Sequence, residues 1–389
     1  MYTVYLKKGE EKRILQGYPW IFANEVAKID GKDIQGSAAK VCGFDGRFIG
    51  QGFINHHSKI IVRMLSLDET PIEREFFYNR IKAANEYRIS LGYENNYRAV
   101  FAESDLLPGL IADKYGDVLS VQFLSLGMEI RKDMITGILA EIFKPVCIYE
   151  RSDVSVREKE GLSEKKGVLF GELPKEILIS ENGLTIKIDV VNGQKTGYFL
   201  DQKHNRDNLK NYAKDRKVLD LFCNQGGFSL CAAKYGAKKV TAVDISESAL
   251  AMVRDNASRN GFSNIINTIN ADVFELLREY RKSGETFDLI VLDPPAFTKS
   301  IDTVKEGYKG YLDLNTLAFK LLNKKGVLIT CSCSQHLSVN MFLDMLKESA
   351  ARAGVTARFM EFRTQSPDHA PLLSSDESLY LKAAVLSIF

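Results

Sequence analysis

The chain has 389 residues, 45% of them hydrophobic, and a formal net charge of +2. Such a length leaves room for roughly two or three domains with sizeable cores. A near-neutral balance excludes nucleic-acid binding by global charge, so any RNA contact must come from local basic surface. The lack of a run of about 18 apolar residues excludes an ordinary membrane-crossing helix.

In chain order, the opening Met1-Tyr2-Thr3-Val4-Tyr5-Leu6-Lys7-Lys8 lacks a secretory apolar core, so a cytoplasmic location is expected. Lys7, Lys8, Lys12 and Arg13 form a basic cluster whose default reading is a solvated terminus. Residues 1–70 read as short strands and turns. Asp45-Gly46 between two apolar runs signals a hairpin, 58–65 alternates as a strand, and Gly36, Gly43, Gly46, Gly50 and Gly52 suit a small curved barrel. Trp20 is expected as a core anchor. From Pro71 onward, Ile72, Phe76, Phe77, Ile81, Ala84 and Tyr87 recur at helical spacing. Strands are expected at 98–102, 110–115, 118–123 and 147–150, with a second helix at 129–143 and an exposed charged connection over 151–166. Together these make a middle α+β domain over 71–182.

Asn182-Gly183 marks another hairpin, behind which Leu184, Ile186, Ile188 and Val190 point inward. The stretch 192–202, containing Gln194 and Lys195, is polar and turn-forming. It reads either as a surface linker into a helix at 204–212 or as a lid carrying hydrogen bonds and the Lys195 cation to a ligand. A charged, mobile stretch is expected between Phe297 and Tyr308, then helices at 311–322 and 340–353 and a last strand at 380–389.

Residues 217–230 hold the stretch that matters most. An apolar run ending in Asp220-Leu221-Phe222 turns through Cys223-Asn224-Gln225-Gly226-Gly227 into helical spacing, the first strand–loop–helix unit of a doubly wound sheet. A pyrophosphate-binding loop would need Gly-x-Gly-x-x-Gly. With only Gly226 and Gly227 and a carboxylate at Asp220, the loop suits a cofactor that is cationic and has no phosphates, such as S-adenosylmethionine (SAM). Three more acids end successive strands: Asp244 for ribose hydroxyls, Asp272 for the adenine amino group, and Asp293, followed by Pro294-Pro295-Ala296-Phe297. A single strand-end Asp is more often a helix cap or turn residue; four in succession beside Gly-Gly and Asp-Pro-Pro point to a SAM site. The six cysteines form no Cys-x-x-Cys pair, so no metal is expected.

These motifs, with Thr330-Cys331-Ser332-Cys333-Ser334, resemble class I SAM-dependent RNA methyltransferases. Blocks at 149–157 and 192–202, and Gly17-Tyr18-Pro19-Trp20-Ile21-Phe22, are similar to the large-subunit rRNA cytosine-5 methyltransferase I family. The resemblance implies an α/β Rossmann-like methyltransferase domain over 183–389, a PUA-like RNA-binding domain over 1–70 and the middle α+β domain. It implies cofactor contacts from Asp220, Phe222, Asn224, Gly226, Asp244, Asp272 and Asp293, and catalysis by Cys333 with Asp293. Substrate contacts are expected from Lys195, Gln194 and Phe297. The partner would be 23S rRNA or a large-subunit precursor; no membrane contact is expected, and a homodimer is left open. The chain departs from its relatives at Asn224-Gln225 and in the extra thiol Cys331. Thiolate addition to carbon 6 would turn carbon 5 into a nucleophile. The alternatives are methylation of a guanine nitrogen, which needs no cysteine, and a SAM-binding ribosome assembly factor; a small-molecule methyltransferase is disfavoured by the PUA-like region.

Overall fold

Along β1 (Tyr2–Leu6), Val4 and Leu6 are fully buried while Thr3 and Tyr5 stay half-exposed, the two-residue period of a strand with one buried face. The structure, a computed structural model, describes residues 1–298 and 301–389. They divide into two compact units. One holds Met1–Ile179, Ile188–Leu200 and Pro367–Ser378; the other holds Ser180–Lys187, Asp201–Ser366 and Leu379–Phe389.

In the first unit, β2 (Trp20–Phe22), β3 (Val26–Asp30), β4 (Ala38–Cys42), β5 (Phe48–Ile54) and β6 (Ile60–Ser66) join β1 in one sheet, ordered β2-β6-β5-β4-β1-β3. Helix α1 (Glu11–Leu15) contributes Ile14 to its core of Val4, Ile21, Val41, Ile54 and Val62. The Asp45-Gly46 turn links β4 to β5 as expected, with Gly46 at φ +82. Trp20 departs from expectation. It is half-buried rather than a core anchor, because its indole N–H needs a partner and finds Glu103 Oε1 at 3.0 Å.

A second sheet in the same unit runs β11 (Lys165–Gly171), β10 (Cys147–Ser152), β9 (Val118–Phe123), β8 (Leu110–Tyr115), β7 (Asn96–Phe101). Helices α2 (Arg74–Ser90), α3 (Leu126–Glu129) and α4 (Lys132–Phe143) accompany it, and Phe77, Ile81, Val121, Phe123, Ile138 and Leu139 fill the core. The exposed connection expected over 151–166 is instead largely structured. A short 3-10 turn, Ser155–Glu160, buries Arg157 and Glu160, which pair with Glu129 at 2.9 Å and Arg63 at 2.8 Å, and Lys165 begins a strand. Buried charges of this kind are invisible to a reading that treats a charged run as solvated.

A hairpin of β12 (Ile177–Glu181) and β13 (Leu184–Ile188) turns at Asn182 (φ +51) and Gly183 (φ +69), the left-handed pair that its Asn-Gly signal requires. The stretch at 192–202 begins as a fixed loop. Thr196 and Tyr198 are buried, and the Tyr115 hydroxyl lies 3.0 Å from Thr196 Oγ1 and accepts from Tyr198 N at 3.1 Å.

The second unit is a seven-stranded sheet ordered β16-β15-β14-β17-β18-β20-β19. Its strands are β14 (Lys217–Leu221), β15 (Lys239–Asp244), β16 (Ile266–Asn270), β17 (Phe287–Leu292), β18 (Leu322–Ser332), β19 (Ala357–Arg363) and β20 (Lys382–Ile388). The first five pair in parallel and β20 runs antiparallel between β18 and β19. The helices are α5 (Lys203–Asp207), α6 (Gly227–Lys234), α7 (Glu247–Arg259), α8 (Val273–Ser283), α9 (Val304–Leu321) and α10 (Val339–Ala353). The helix expected over 204–212 stops early and continues as a 3-10 turn, Asn208–Asn211. Its asparagines bond locally, Asn205 to Gln202 at 2.7 Å and Asn211 to Asn208 at 2.8 Å, which competes with helix. In the charged stretch expected between Phe297 and Tyr308, Lys299 and Ser300 lie outside the described residues, while Ile301–Thr303 is a 3-10 turn and α9 is already running from Val304. The edge strand β19 was not expected, since its Phe359 and Met360 are about half exposed and its alternation is weak.

Candidate active site

Strand order reverses between β14 and β17: Leu221 pairs with Val243 on one side and Leu292 on the other. Doubly wound sheets bind ligands outside the carboxyl ends of such strands. Past Leu221 the backbone takes left-handed conformations at Phe222 (φ +60), Asn224 (φ +48) and Gly226 (φ +80) before α6 begins. Non-glycine residues adopt that conformation rarely, and it clusters at functional loops. A Cβ on Gly226 would sit 3.0 Å from Val253 as well as being strained.

Asp220 is buried at 1% exposure; its Oδ2 accepts from Ser229 Oγ at 2.6 Å, and its Oδ1 has no hydrogen-bond partner. Burial pushes its pKa up to about 7, the Ser229 bond opposes this, and the charges of Asp293 and Asp244 add to it. A buried acceptor without a donor, beside further acids, fits the ammonium or sulfonium charge of SAM and repels a phosphate.

Asp244 ends β15 with both carboxylate oxygens engaged. Oδ2 accepts from Asn224 N and Oδ1 from Ser246 N, each at 2.9 Å. It thereby fixes the β14 loop while each oxygen retains a lone pair for a ribose hydroxyl. Asp272 has become the N-cap of α8, accepting from Glu275 N at 3.1 Å, and is exposed. Its reach to an adenine amino group therefore depends on its second oxygen.

Asp293 follows β17, whose Leu292 pairs with Thr330 on β18; Cys331 and Ser332 are the last residues of β18, opposite Ala383 and Lys382 of β20, and Cys333 is the first beyond it. Gln202 Nε2 donates to Asp293 Oδ2 at 3.1 Å and is itself held by Asn205. The two thiols differ. Cys331 is fully buried; burial first, then the Asp293 charge, push its pKa well above the ordinary thiol value. Cys333 is only partly buried and packs against the small cluster of Cys331, Leu381 and Ala383. The turn that carries it is braced: Ser334 Oγ lies 2.9 Å from the Tyr311 hydroxyl and accepts from Thr298 N at 3.3 Å, and Lys382 Nζ donates to Ser334 O at 2.9 Å.

Phe297 is half-buried, its ring 4.7 Å from that of Tyr311 and 6.2 Å from that of Phe274, so part of the face expected to stack on a base is already covered. Gln194 and Lys195 belong to the first unit; both are exposed, and Lys195 Nζ lies 4.4 Å over the Phe199 ring. Sequence reasoning missed Gln202 and Lys382. Lys382 had a signal: one charge inside an otherwise apolar terminal strand. Gln202 closes the 192–202 stretch that reads as a linker or a hydrogen-bonding lid, but nothing local names its partner Asp293, 91 residues away.

A family model described as S-adenosylmethionine-dependent methyltransferase matches residues 164–386, and one described as PUA-like domain matches 4–67. A ribosomal RNA large subunit methyltransferase I of Aeromonas salmonicida (strain A449) is 43% identical, with 98% of each chain covered. One of Vibrio cholerae (strain N16961) is 41% identical, again with 98% of each chain covered. Among solved structures, a Streptococcus mutans chain described as a candidate SAM-dependent methyltransferase superposes with a TM-score of 0.85 at 21% identity over the whole of both chains, which shows the shared fold. The chain belongs to the S-adenosylmethionine-dependent ribosomal RNA large subunit methyltransferase I family.

Proposed function

We propose that the protein methylates carbon 5 of a cytosine in large-subunit rRNA, in the cytoplasm, with Cys333 as the covalent nucleophile. The observation that supports this reading is the parallel pairing of β17 with β18, Leu292 opposite Thr330, after which Asp293 and the Cys331-Ser332-Cys333 segment follow at neighbouring strand ends. Of the two thiols, Cys331 is sealed and its thiolate is disfavoured first by burial and then by Asp293; Cys333 is partly exposed, and Lys382 bonds the carbonyl of the next residue, Ser334.

The Cys333 thiolate adds to carbon 6, forming the S–C6 bond as the C5=C6 electron pair moves into the ring toward nitrogen 3, and Asp293, carrying a proton for this step, delivers it to nitrogen 3 so that carbon 5 becomes the nucleophilic end of an enamine. Gln202 orients the Asp293 carboxyl by donating to its Oδ2. Asp220, Asn224 and Asp244 would hold SAM, which would supply an electrophilic methyl to carbon 5, its S–CH3 bond breaking to leave S-adenosylhomocysteine. Loss of the carbon-5 proton then expels Cys333 and restores aromaticity. The target base must leave its stack or lie in a loop for Cys333 to reach carbon 6.

RNA carrying 5-fluorocytosine tests the reading, because fluorine blocks the last proton loss. A trapped adduct mapped to Cys333 is expected. Mapping to Cys331 would move the nucleophile, and normal turnover by Cys333→Ala would replace carbon methylation with methylation of a guanine nitrogen.

A further inference from the structure

Lys382 begins β20 opposite Ser332 on β18, the residue before Cys333. Its side chain is 2% exposed, and its Nζ donates to Ser334 O at 2.9 Å and Tyr380 O at 3.0 Å. An ammonium has three protons to place; one goes to the carbonyl of Ser334, the residue after Cys333, and one to that of Tyr380, which like Cys333 packs against the cluster of Cys331, Leu381 and Ala383. A buried lysine is costly unless something nearby is or becomes negative. Burial lowers the Lys382 pKa to about 8; the opposing charge that raises it is that of Cys333.

We propose that Lys382 is the positioning residue of Cys333: its ammonium stabilises the Cys333 thiolate, and its bond to the Ser334 carbonyl holds the turn that carries the thiol. The proposal rests on Cys333 being the nucleophile. Near pH 7 the lysine is mainly an ammonium and the thiol proton leaves to solvent; where the amine is neutral, the S–H bond breaks as an N–H bond forms. Both routes end in the same thiolate–ammonium pair, and elimination from carbon 6 regenerates it without oxidant or reductant.

The other titratable groups around this pocket act differently. On β18, Cys331 is buried with its thiol pKa raised; Asp293 at the end of β17 and Asp201, which accepts from the Tyr380 hydroxyl at 2.6 Å, both bear on Cys331. Tyr311 on α9 is pushed up to about 12, chiefly by burial, and stays neutral. Among these described residues, Lys382 is the only cation.

The test is the pH profile of iodoacetamide alkylation at Cys333 in the full chain, read by peptide mass spectrometry, with SAM affinity measured alongside. Lys382→Met should slow alkylation at pH 7 about tenfold, the loss of roughly one pKa unit of thiolate stabilisation, with SAM affinity unchanged; Lys382→Arg should recover most of the rate. Coincident profiles for the wild type and Lys382→Met would overturn the pairing. If Lys382→Met does not fold, the wild-type profile decides alone, since an inflection at or above that of an ordinary cysteine, about 8.5, rejects it. The 5-fluorocytosine adduct separates the two ideas. An adduct on Cys333 with an unshifted alkylation profile sinks only the role of Lys382. A shifted profile with no adduct keeps the pair and sinks the nucleophile.

Discussion

The Gln202 side chain donates to Asp293 at 3.1 Å and accepts from Asn205 at 2.7 Å, so the orientation of the Asp-Pro-Pro carboxylate is set from residues nearly a hundred positions upstream. Gln202→Ala should slow methylation about tenfold, equivalent to one hydrogen bond to a charged group, with SAM affinity changed far less. Single-turnover kinetics at saturating SAM would show it; a rate equal to wild type would mean that Asp293 is oriented without Gln202.

Cys333→Ala should abolish carbon-5 methylation and leave SAM binding intact, because the thiol acts in the chemical step. Cys331→Ala removes one sulfur from the small cluster of Cys331, Leu381 and Ala383, and should cost about 1 kcal/mol of stability while retaining activity. Nucleoside mass spectrometry of the treated rRNA and a thermal melt distinguish the two variants.

Asp244→Ala should weaken SAM binding at least about tenfold, or roughly 1.4 kcal/mol. Asp244 also holds Asn224 N, so Asp244→Asn, which keeps an acceptor for that amide, separates loop support from direct contact. Calorimetry giving wild-type affinity for both variants would take Asp244 out of the site.

Asp220 predicts a pH dependence. Its folded pKa is raised to about 7 from 3.8, so below pH 7 the folded carboxyl is mostly protonated. A cationic ligand prefers the ionised form; binding therefore releases a proton, and SAM affinity should rise as pH climbs through about 7 and then level off. For the free protein the sign is opposite: a raised carboxyl pKa contributes stability that is fully present below about pH 4 and is lost as pH rises toward 7. Calorimetry in buffers of different ionisation enthalpy should report the released proton, and Asp220→Asn should flatten the profile.

RNA affinity should fall in a Lys7→Glu, Lys8→Glu, Lys12→Glu variant, with a shallower salt dependence and unchanged SAM binding. Charge reversal is preferable to deleting 1–70, because Phe53 stacks on Phe77 of the same unit at 6.2 Å and its loss would open that core. Equal salt slopes for the variant and the wild type would show that the RNA binds elsewhere.

Much of this protein is written in local order. Apolar runs ending in Asp220, Asp244 and Asp293, the Gly226-Gly227 turn and the Asn182-Gly183 hairpin announce themselves because strand period, strand termination and left-handed turns depend on neighbouring residues alone. What the fold decided is what depends on partners distant in sequence. Tertiary packing buried Arg157 and Glu160 in a run that reads as solvated; the cap that Asp272 makes is local, its partner Glu275 lying three residues on. Packing also held the loop containing Thr196 on Tyr115 and brought Gln202 to Asp293 and Lys382 to the Cys333 turn. The sequence alone places Cys331 and Cys333 two positions apart with equal claims. Their difference arises only when β20 pairs with β18: Cys331 is sealed opposite Ala383 with the Asp293 charge bearing on it, while Cys333 stays partly exposed on the turn whose Ser334 carbonyl accepts from Lys382, because burial and charge at a thiol are set by what packs around it rather than by its neighbours in the chain.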